Sequence, residues 1–160
     1  MKLALLALAP AMLAASPALA QAMSPADYVK TAGASDLYER TSSQIVLQTT
    51  RDPRVREFAQ MMIAHHTRST ADVTAAARRS RVRVAPPQLM PLQAELIAQL
   101  RAEQGPARDA AYLAQQKASH NQALAVQQAY AADGTAPALR QAAAGIVPVV
   151  QSHIEMLHRM

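Results

Sequence analysis

The chain has 160 residues, a formal net charge of +5 and no cysteine. The lack of cysteine excludes disulfide bonds, thiolate metal ligands and cysteine nucleophiles. Only 3% of the residues are aromatic and only 4 are glycine, whereas alanine and glutamine are abundant. This composition favours helix, and because no segment has a period-two strand pattern, we predict an all-α protein.

The first twenty residues have the pattern of a secretory signal peptide. Lys2 supplies the positive charge, residues 3–13 form an apolar run, and Ala18-Leu19-Ala20 fits the small-x-small cleavage rule. We expect cleavage after Ala20, which leaves Gln21 first and lowers the formal charge to +4. The apolar run is too short to span a membrane comfortably, and no later stretch is suitable. We therefore expect a bacterial protein that is periplasmic or secreted.

Capping residues and prolines divide the rest of the chain into helices. Ser24-Pro25 and Asp52-Pro53 each combine a good N-cap with a proline suited to the first turn. Pro86-Pro87 and Gly105-Pro106 interrupt the pattern, and Asp133-Gly134 predicts a helix stop and a turn. The expected helices span about residues 24–49, 53–81, 88–104, 106–132 and 137–158, and Pro148 is expected to bend the last of them.

The lengths of these segments predict an architecture. Tight turns join the first two long helices and the last two, so each pair should form an antiparallel hairpin. The segment between the pairs must then be a crossover that contains its own short helix. We predict one domain, residues 24–158, that folds as a ferritin-like four-helix bundle with an extra short helix in the crossover.

Each long helix carries one imidazole or carboxylate on its core-facing stripe. These residues are Glu39, His66, His120 and His153. Three imidazoles and one carboxylate are a reasonable ligand set for a single divalent ion, namely zinc, copper, iron or manganese. The alternative is a hydrogen-bonded polar core, in which the histidines, or Tyr28, Tyr38 and Tyr112, satisfy the buried carboxylate.

The expected heights and directions of the side chains limit which residues can meet in this cluster. Measured from the turn near residue 50, Glu39 and His66 differ in height by roughly 8 Å, so side-chain length and helix tilt must bring them together. His65 points about 100° away from His66 on the same helix, which makes it a boundary residue that should not bind the same ion.

Arginines cluster near the predicted end of the second helix, where cations complement the helix dipole. Their ordinary role is a solvated helix end, and contact with anionic envelope lipid is the functional alternative. The residues are Arg78, Arg79, Arg81 and Arg83. Nucleic acid is not an expected partner, because no aromatic residues are interleaved with the basic ones.

Several spaced motifs resemble the bacterial exported family called domain of unknown function 4142, from about Ala26 to Leu157. They are Val55–Thr67 (VREFAQMMIAHHT), Tyr28-Val29, Glu39, the Tyr112 to His120 spacing and Ile146–His153 (IVPVVQSH). The resemblance implies a ferritin-like helical bundle and an exported protein, but no established activity; members are often labelled as outer membrane proteins.

Two features bear on what this resemblance implies. The family usually has Asp-His where this chain has His65-His66, so a weak base replaces an anion beside the retained histidine. Ile63 and Val150 stand three residues before His66 and His153, so the Glu-x-x-His pattern of di-iron proteins is absent. Oxidase and iron-storage chemistry are therefore not indicated.

Three functions remain open from the sequence. The first is a non-enzymatic periplasmic bundle that acts as a binding or envelope-stress module, because no Ser-His-Asp set or phosphate loop is present. The second is a mononuclear metal-binding protein that uses Glu39, His66, His120 and His153. The third is an enzyme that exploits a perturbed pKa of Glu39 or of a histidine.

Overall fold

A computed structural model describes residues 22–160, and the predicted signal peptide lies outside these residues. Five helices account for most of the described chain: α1 (Pro25–Val46), α2 (Pro53–Arg79), α3 (Pro91–Ala102), α4 (Gly105–Asp133) and α5 (Pro137–His158). This order of two long helices, one short helix and two long helices confirms the predicted fold class.

Each helix has a proline in its first turn. An N–H group at that position has no partner within the helix, so the missing donor of proline costs nothing there. Side chains accept hydrogen bonds from some of the other free N–H groups at the helix starts. Ser24 accepts from the Asp27 amide at 3.1 Å, and Asp52 accepts from the Arg54 amide at 2.8 Å. Both predicted N-caps are thereby confirmed.

The helix ends differ from the predicted ones by a few residues, most clearly at α3. This helix begins at Pro91 rather than near Gln88. A start near Gln88 would put Pro91 at the fourth helical position, where proline removes a needed donor and collides with the preceding turn, so the helix starts at Pro91 instead. The Gln93 side chain then accepts from the Met90 amide at 2.9 Å. Pro148 lies within α5, which continues through it from Pro137 to His158.

Hydrogen bonds at one end of the bundle establish the direction of the helices. The Thr50 hydroxyl donates to Asp109 at 2.9 Å, and the buried Arg108 donates to the Ile45 carbonyl at 3.1 Å. The start of α4 therefore lies beside the α1–α2 turn, so α4 runs parallel to α2 and antiparallel to α1 and α5. The crossover must return along the bundle, and its helix α3 packs against α1 and α4. This is the ferritin-like arrangement.

Two apolar layers fill the bundle. The upper layer, near the α1–α2 turn, includes Ile45, Val55, Phe58, Tyr112 and Leu157. The lower layer, near the α4–α5 turn, includes Tyr28, Val73, Tyr130, Leu139 and Ala143. Each long helix places at least one buried polar side chain between the two layers: Asp36, Glu39, His66, His120 and His153. None of the helices in the described part of the chain is long and apolar enough to cross a membrane.

Helix α2 is followed by Arg81 at the position after the C-cap, where glycine is the usual residue. The Arg81 amide bonds to the Arg78 carbonyl at 3.1 Å, and the Val82 amide bonds to the Ala77 carbonyl at 2.9 Å. These bonds define a Schellman motif, in which the residue after the cap is left-handed. Arg81 has a φ of 56°, a conformation that costs a residue with a Cβ atom about 1 kcal/mol.

We therefore expect Arg81→Gly to raise the free energy of unfolding by about 1 kcal/mol, because glycine adopts this conformation without the steric penalty. Urea denaturation would measure the change. Arg79→Gly is the matched control, since it removes the same charge from a helical position and should destabilise by about 0.5–1 kcal/mol. An Arg81→Gly protein no more stable than the parent would contradict the prediction.

Candidate metal centre

Three helices each place one histidine in the polar layer between the apolar layers. His66 on α2, His120 on α4 and His153 on α5 are 6%, 1% and 1% exposed. Helix α1 faces them with Asp36 and Glu39, which are also buried. The arrangement follows from the bundle, because α1, α2, α4 and α5 each direct their core stripe to the same axis.

The three histidines are close enough to bind a single ion. One ring nitrogen from each lies within 4.8 Å of the other two, and the Nε2 of His120 is 3.2 Å from the Nδ1 of His153. A tetrahedral zinc site has metal–nitrogen distances near 2.0–2.1 Å, which place its nitrogens about 3.4 Å apart. The nitrogens would therefore need to approach one another by at most about 1.4 Å, a distance within reach of side-chain rotation.

A carboxylate orients His66. The Nδ1 of His66 lies 2.9 Å from Asp36 Oδ1, and Asp36 Oδ2 accepts from the Thr70 hydroxyl at 2.9 Å. Arg40 braces the pair by donating to Thr70 at 2.6 Å and to the His66 carbonyl at 3.0 Å. The other ring nitrogen, Nε2, is buried and has no hydrogen-bond partner among residues 22–160. This leaves one imidazole nitrogen available for a ligand.

The remaining histidines form a hydrogen-bonded chain whose proton positions can be deduced. The Nδ1 of His120 lies 3.0 Å from the Gln116 carbonyl, which only accepts, so this nitrogen carries the proton. In a neutral ring Nε2 then accepts, and the Nδ1 of His153 must donate to it. The Nε2 of His153 in turn accepts from the Nδ1 of His65 at 2.8 Å. A metal at Nδ1 of His153 would require its proton to shift to Nε2.

Of the four predicted ligands, the structure brings together the three histidines, with Glu39 beside them. Glu39 Oε1 is 3.9 Å from Nδ1 of His120, which is the nitrogen turned away from His153. Gln116 and Ser119 donate to the Glu39 carboxylate at 2.6 and 2.7 Å. Neither histidines nor tyrosines therefore satisfy this carboxylate, because an amide and a hydroxyl on α4 take that role.

The predicted tyrosine donors have other partners. Tyr28 donates to Gln127 at 2.7 Å and Tyr38 donates to Gln115 at 2.8 Å. The Tyr112 hydroxyl lies 2.8 Å from that of Ser43. Each tyrosine thus bonds to a polar group on a neighbouring helix, and none of them bonds to Glu39.

Sequence reasoning missed two residues of this centre. Asp36 lies three residues before Glu39 on α1, a spacing that puts both on one face of the helix, but it was not among the predicted residues. His65 was expected to be a boundary residue, and it is exposed, but its ring stacks on that of His153 with centroids 5.1 Å apart. The helical spacing of Asp36 was a usable signal, whereas the reach of His65 across to α5 was not.

The surroundings change the pKa values of the three histidines in opposite directions. Burial, together with the neighbouring imidazoles, lowers the pKa of His153 to about 2. Burial also lowers the pKa of His120, against the opposing effect of Glu39. Burial disfavours a charged His66 as well, but the hydrogen bond to Asp36 and the nearby carboxylates outweigh it and raise the pKa of His66. Two neutral imidazoles thus stand beside one that favours its charged form.

Fold and centre together define a class of protein: a ferritin-like helical bundle with a buried cluster of three histidines in place of a di-iron motif. The family model described as "Domain of unknown function (DUF4142)" matches residues 9–160. The chain belongs to this family, as its motifs had indicated.

A solved structure has the same fold. The crystal structure of a DUF305 protein from Streptomyces coelicolor, described as secreted, is similar with a TM-score of 0.70 at 16% identity. The similarity covers 84% of this chain and 88% of that one, and it confirms the helical architecture. A search of curated proteins gave no match.

The lowered pKa of His153 predicts acid sensitivity in metal-stripped protein. Below about pH 6.5 an unfolded imidazole takes up a proton while folded His153 stays neutral, so the unfolded state binds more protons. Between pH 6.5 and 5 we expect His153 to remove about 1.1 kcal/mol of stability per pH unit on average, a slope that approaches about 1.4 at the acid end, and His120 adds a loss of the same sign. His66 behaves in the opposite way, because its pKa is raised in the folded state. Its contribution to the free energy of unfolding is fully present below pH 6.5 and is lost only as the pH rises through its folded pKa.

Urea denaturation at several pH values in the presence of a chelator would test this expectation. His153→Leu should flatten the slope, while His158→Gln, at an exposed position, should leave it unchanged. Equal slopes in the parent and His153→Leu proteins would show that His153 is not the group responsible.

Proposed function

We propose that this chain is an exported binding protein that holds one divalent metal ion through His66, His120 and His153. The observation that carries the proposal is the buried Nε2 of His66, which has no partner among residues 22–160 on a ring already oriented by Asp36. An unpaired buried nitrogen is costly, and a metal ion bound to it would remove that cost.

The surroundings of the histidines resemble those of metal ligands. Metal-binding imidazoles normally give their second ring nitrogen to a carboxylate or a backbone carbonyl, which sets the tautomer and raises ligand basicity. His66 has Asp36 in this role, and His120 has the Gln116 carbonyl. Three nitrogen ligands suit zinc, copper, iron or manganese. We assign Glu39 to the outer layer of the site, where its charge would balance that of the ion.

A second candidate function is that of a non-enzymatic binding or envelope-stress module. In such a protein the histidines would stabilise the core of the bundle and would bind no metal. The observation that favours it is the hydrogen-bonded chain itself. Five of the six ring nitrogens of His66, His120 and His153 already have a partner. Metal loading separates the two candidates, because only the first predicts a stoichiometric ion.

Export to the periplasm is supported by the signal-like residues 1–20 and by the likeness to a protein described as secreted. Contact with anionic envelope lipid is a further part of this proposal. It is supported by the exposure of Arg78, Arg79, Arg81 and Arg83 at one end of the bundle.

We expect protein purified from the periplasm without a histidine tag to carry one divalent ion per chain by mass spectrometry. After stripping, reloading with zinc, copper, iron or manganese at about a hundredfold excess over Kd should add about 2.7 kcal/mol of stability. His66→Ala and His153→Ala should lose this increment, since each removes a ligand.

The metal-dependent increment separates ligand loss from cavity formation, because a cavity lowers stability with and without metal. His158→Ala is the matched control, an exposed histidine of α5 that should keep full metal binding. If no ion and no stabilisation are found with any of the four metals, the structural candidate stands instead.

The proton of His153 gives a second prediction. When Nδ1 of His153 binds the ion, its Nε2 must donate, and the residue at position 65 receives that bond. His65→Asp should tighten metal binding about tenfold, because a carboxylate is a stronger acceptor than a neutral imidazole, and His65→Ala should weaken it by a similar factor. Competition with a chelating dye would measure both affinities.

Ala64→Asp is the control for this pair of variants. It places the same charge at the neighbouring exposed position of α2, on a different face from His65. Equal tightening by Ala64→Asp and His65→Asp would mean that charge alone, and not contact with His153, controls the affinity.

A further inference from the structure

A cavity of about 420 Å³ opens between α2 and α5 and reaches the histidine cluster. The buried side chains of Asp36, His66 and His153 line it, together with the exposed His65. Its volume lies within the range of small-molecule sites, about 300–1,000 Å³. The proposed metal centre is therefore accessible from one side, whereas Phe58, with its ring 6.4 Å from those of His120 and His153, packs against it within the core.

The walls of this cavity are apolar on one helix and charged on the other. Ile146, Val149 and Val150 of α5 form an aliphatic wall, and Arg68, Asp72 and Arg79 of α2 stand opposite. Such a combination of an apolar wall and a few polar groups is typical of sites for small organic ligands.

With a divalent ion on the histidines, the charge of the cavity would favour an anion. Arg68 pairs with Asp72 at 2.9 Å, and Asp36 faces His66 at 2.9 Å. Arg79 takes part in no ion pair within residues 22–160, and the two arginines and two aspartates of the lining balance each other when His66 is neutral. A divalent ion on the histidines would add two positive charges at the histidine cluster. An anionic head group would thus be attracted toward the metal, while an apolar body would contact the aliphatic wall.

A metal ion on three imidazoles has a fourth tetrahedral position, and sites of this kind use it for water or an exogenous ligand. We propose that a small organic carboxylate occupies the cavity, with its head group on the metal and its apolar body against Ile146, Val149 and Val150. This inference rests on the proposed metal binding and adds the chemical class of the second ligand.

Gly145 offers a way to test the cavity without touching the metal ligands. It lines the cavity on α5, and a Cβ atom built on it meets nothing within 4 Å. Gly145→Leu should therefore fill the cavity with little strain elsewhere. Ala144→Leu is the matched control, because Ala144 is an exposed neighbour on α5 and does not line the cavity.

The experiment uses full-length mature protein loaded with cobalt(II), whose visible absorption reports ligand exchange. Benzoate serves as an organic carboxylate and azide as a small anion without an apolar body. We expect both anions to change the spectrum saturably. Gly145→Leu should weaken benzoate binding at least tenfold while cobalt affinity and azide binding stay the same, and Ala144→Leu should behave as the parent protein.

Each outcome bears on one of the two proposals. Failure to bind cobalt in a 1:1 ratio would overturn the metal site and this inference with it. Stoichiometric cobalt with no spectral response to benzoate would overturn only the carboxylate site and leave the metal site standing. A benzoate response that Gly145→Leu does not weaken would show that the ligand binds outside this cavity, and would also overturn the inference.

Discussion

The hydrogen bond between Asp36 and His66 is the interaction on which the centre of this bundle depends. Both side chains are almost completely buried between two apolar layers, where a lone charge would be strongly unfavourable. The pair satisfies one nitrogen of the ring, aligns it, and leaves Nε2 facing inward. Thr70 and Arg40 extend the pair to the surface of α2, so the orientation of His66 is fixed by residues of both helices of the first hairpin.

Most of the fold was predictable because its signals are local. The pairs Ser24-Pro25 and Asp52-Pro53 mark helix starts by capping chemistry alone, and Gly105 and Gly134 mark the turns. The three histidines were also predictable, since helical spacing decides which face a residue occupies. Asp36 was missed because Ser35 and Asp36 both lie close to the stripe of α1, and only packing decides between them. The contact of His65 with His153 depends on how α2 and α5 pack, which spacing along one helix does not encode.

The centre combines two properties that usually oppose each other. A hydrogen-bonded chain from His65 through His153 to His120 satisfies the polar groups without a ligand, which gives a stable core. The same series of hydrogen bonds can reverse its donors and acceptors, because an imidazole has two ring nitrogens and its proton can move from one to the other. An ionised Asp at position 65 would be only an acceptor. This chain has a residue there that can act in either direction.

The ferritin-like connection has a mechanical consequence. His66 belongs to the first hairpin, whereas His120 and His153 belong to the second, and only the crossover joins the hairpins covalently. A bound ion would act as a reversible crosslink between the two halves, comparable in its effect on chain entropy to a disulfide that closes a long loop. This chain has no cysteine and so no disulfide. A metal crosslink would make the stability of the whole domain depend on the concentration of metal in its compartment.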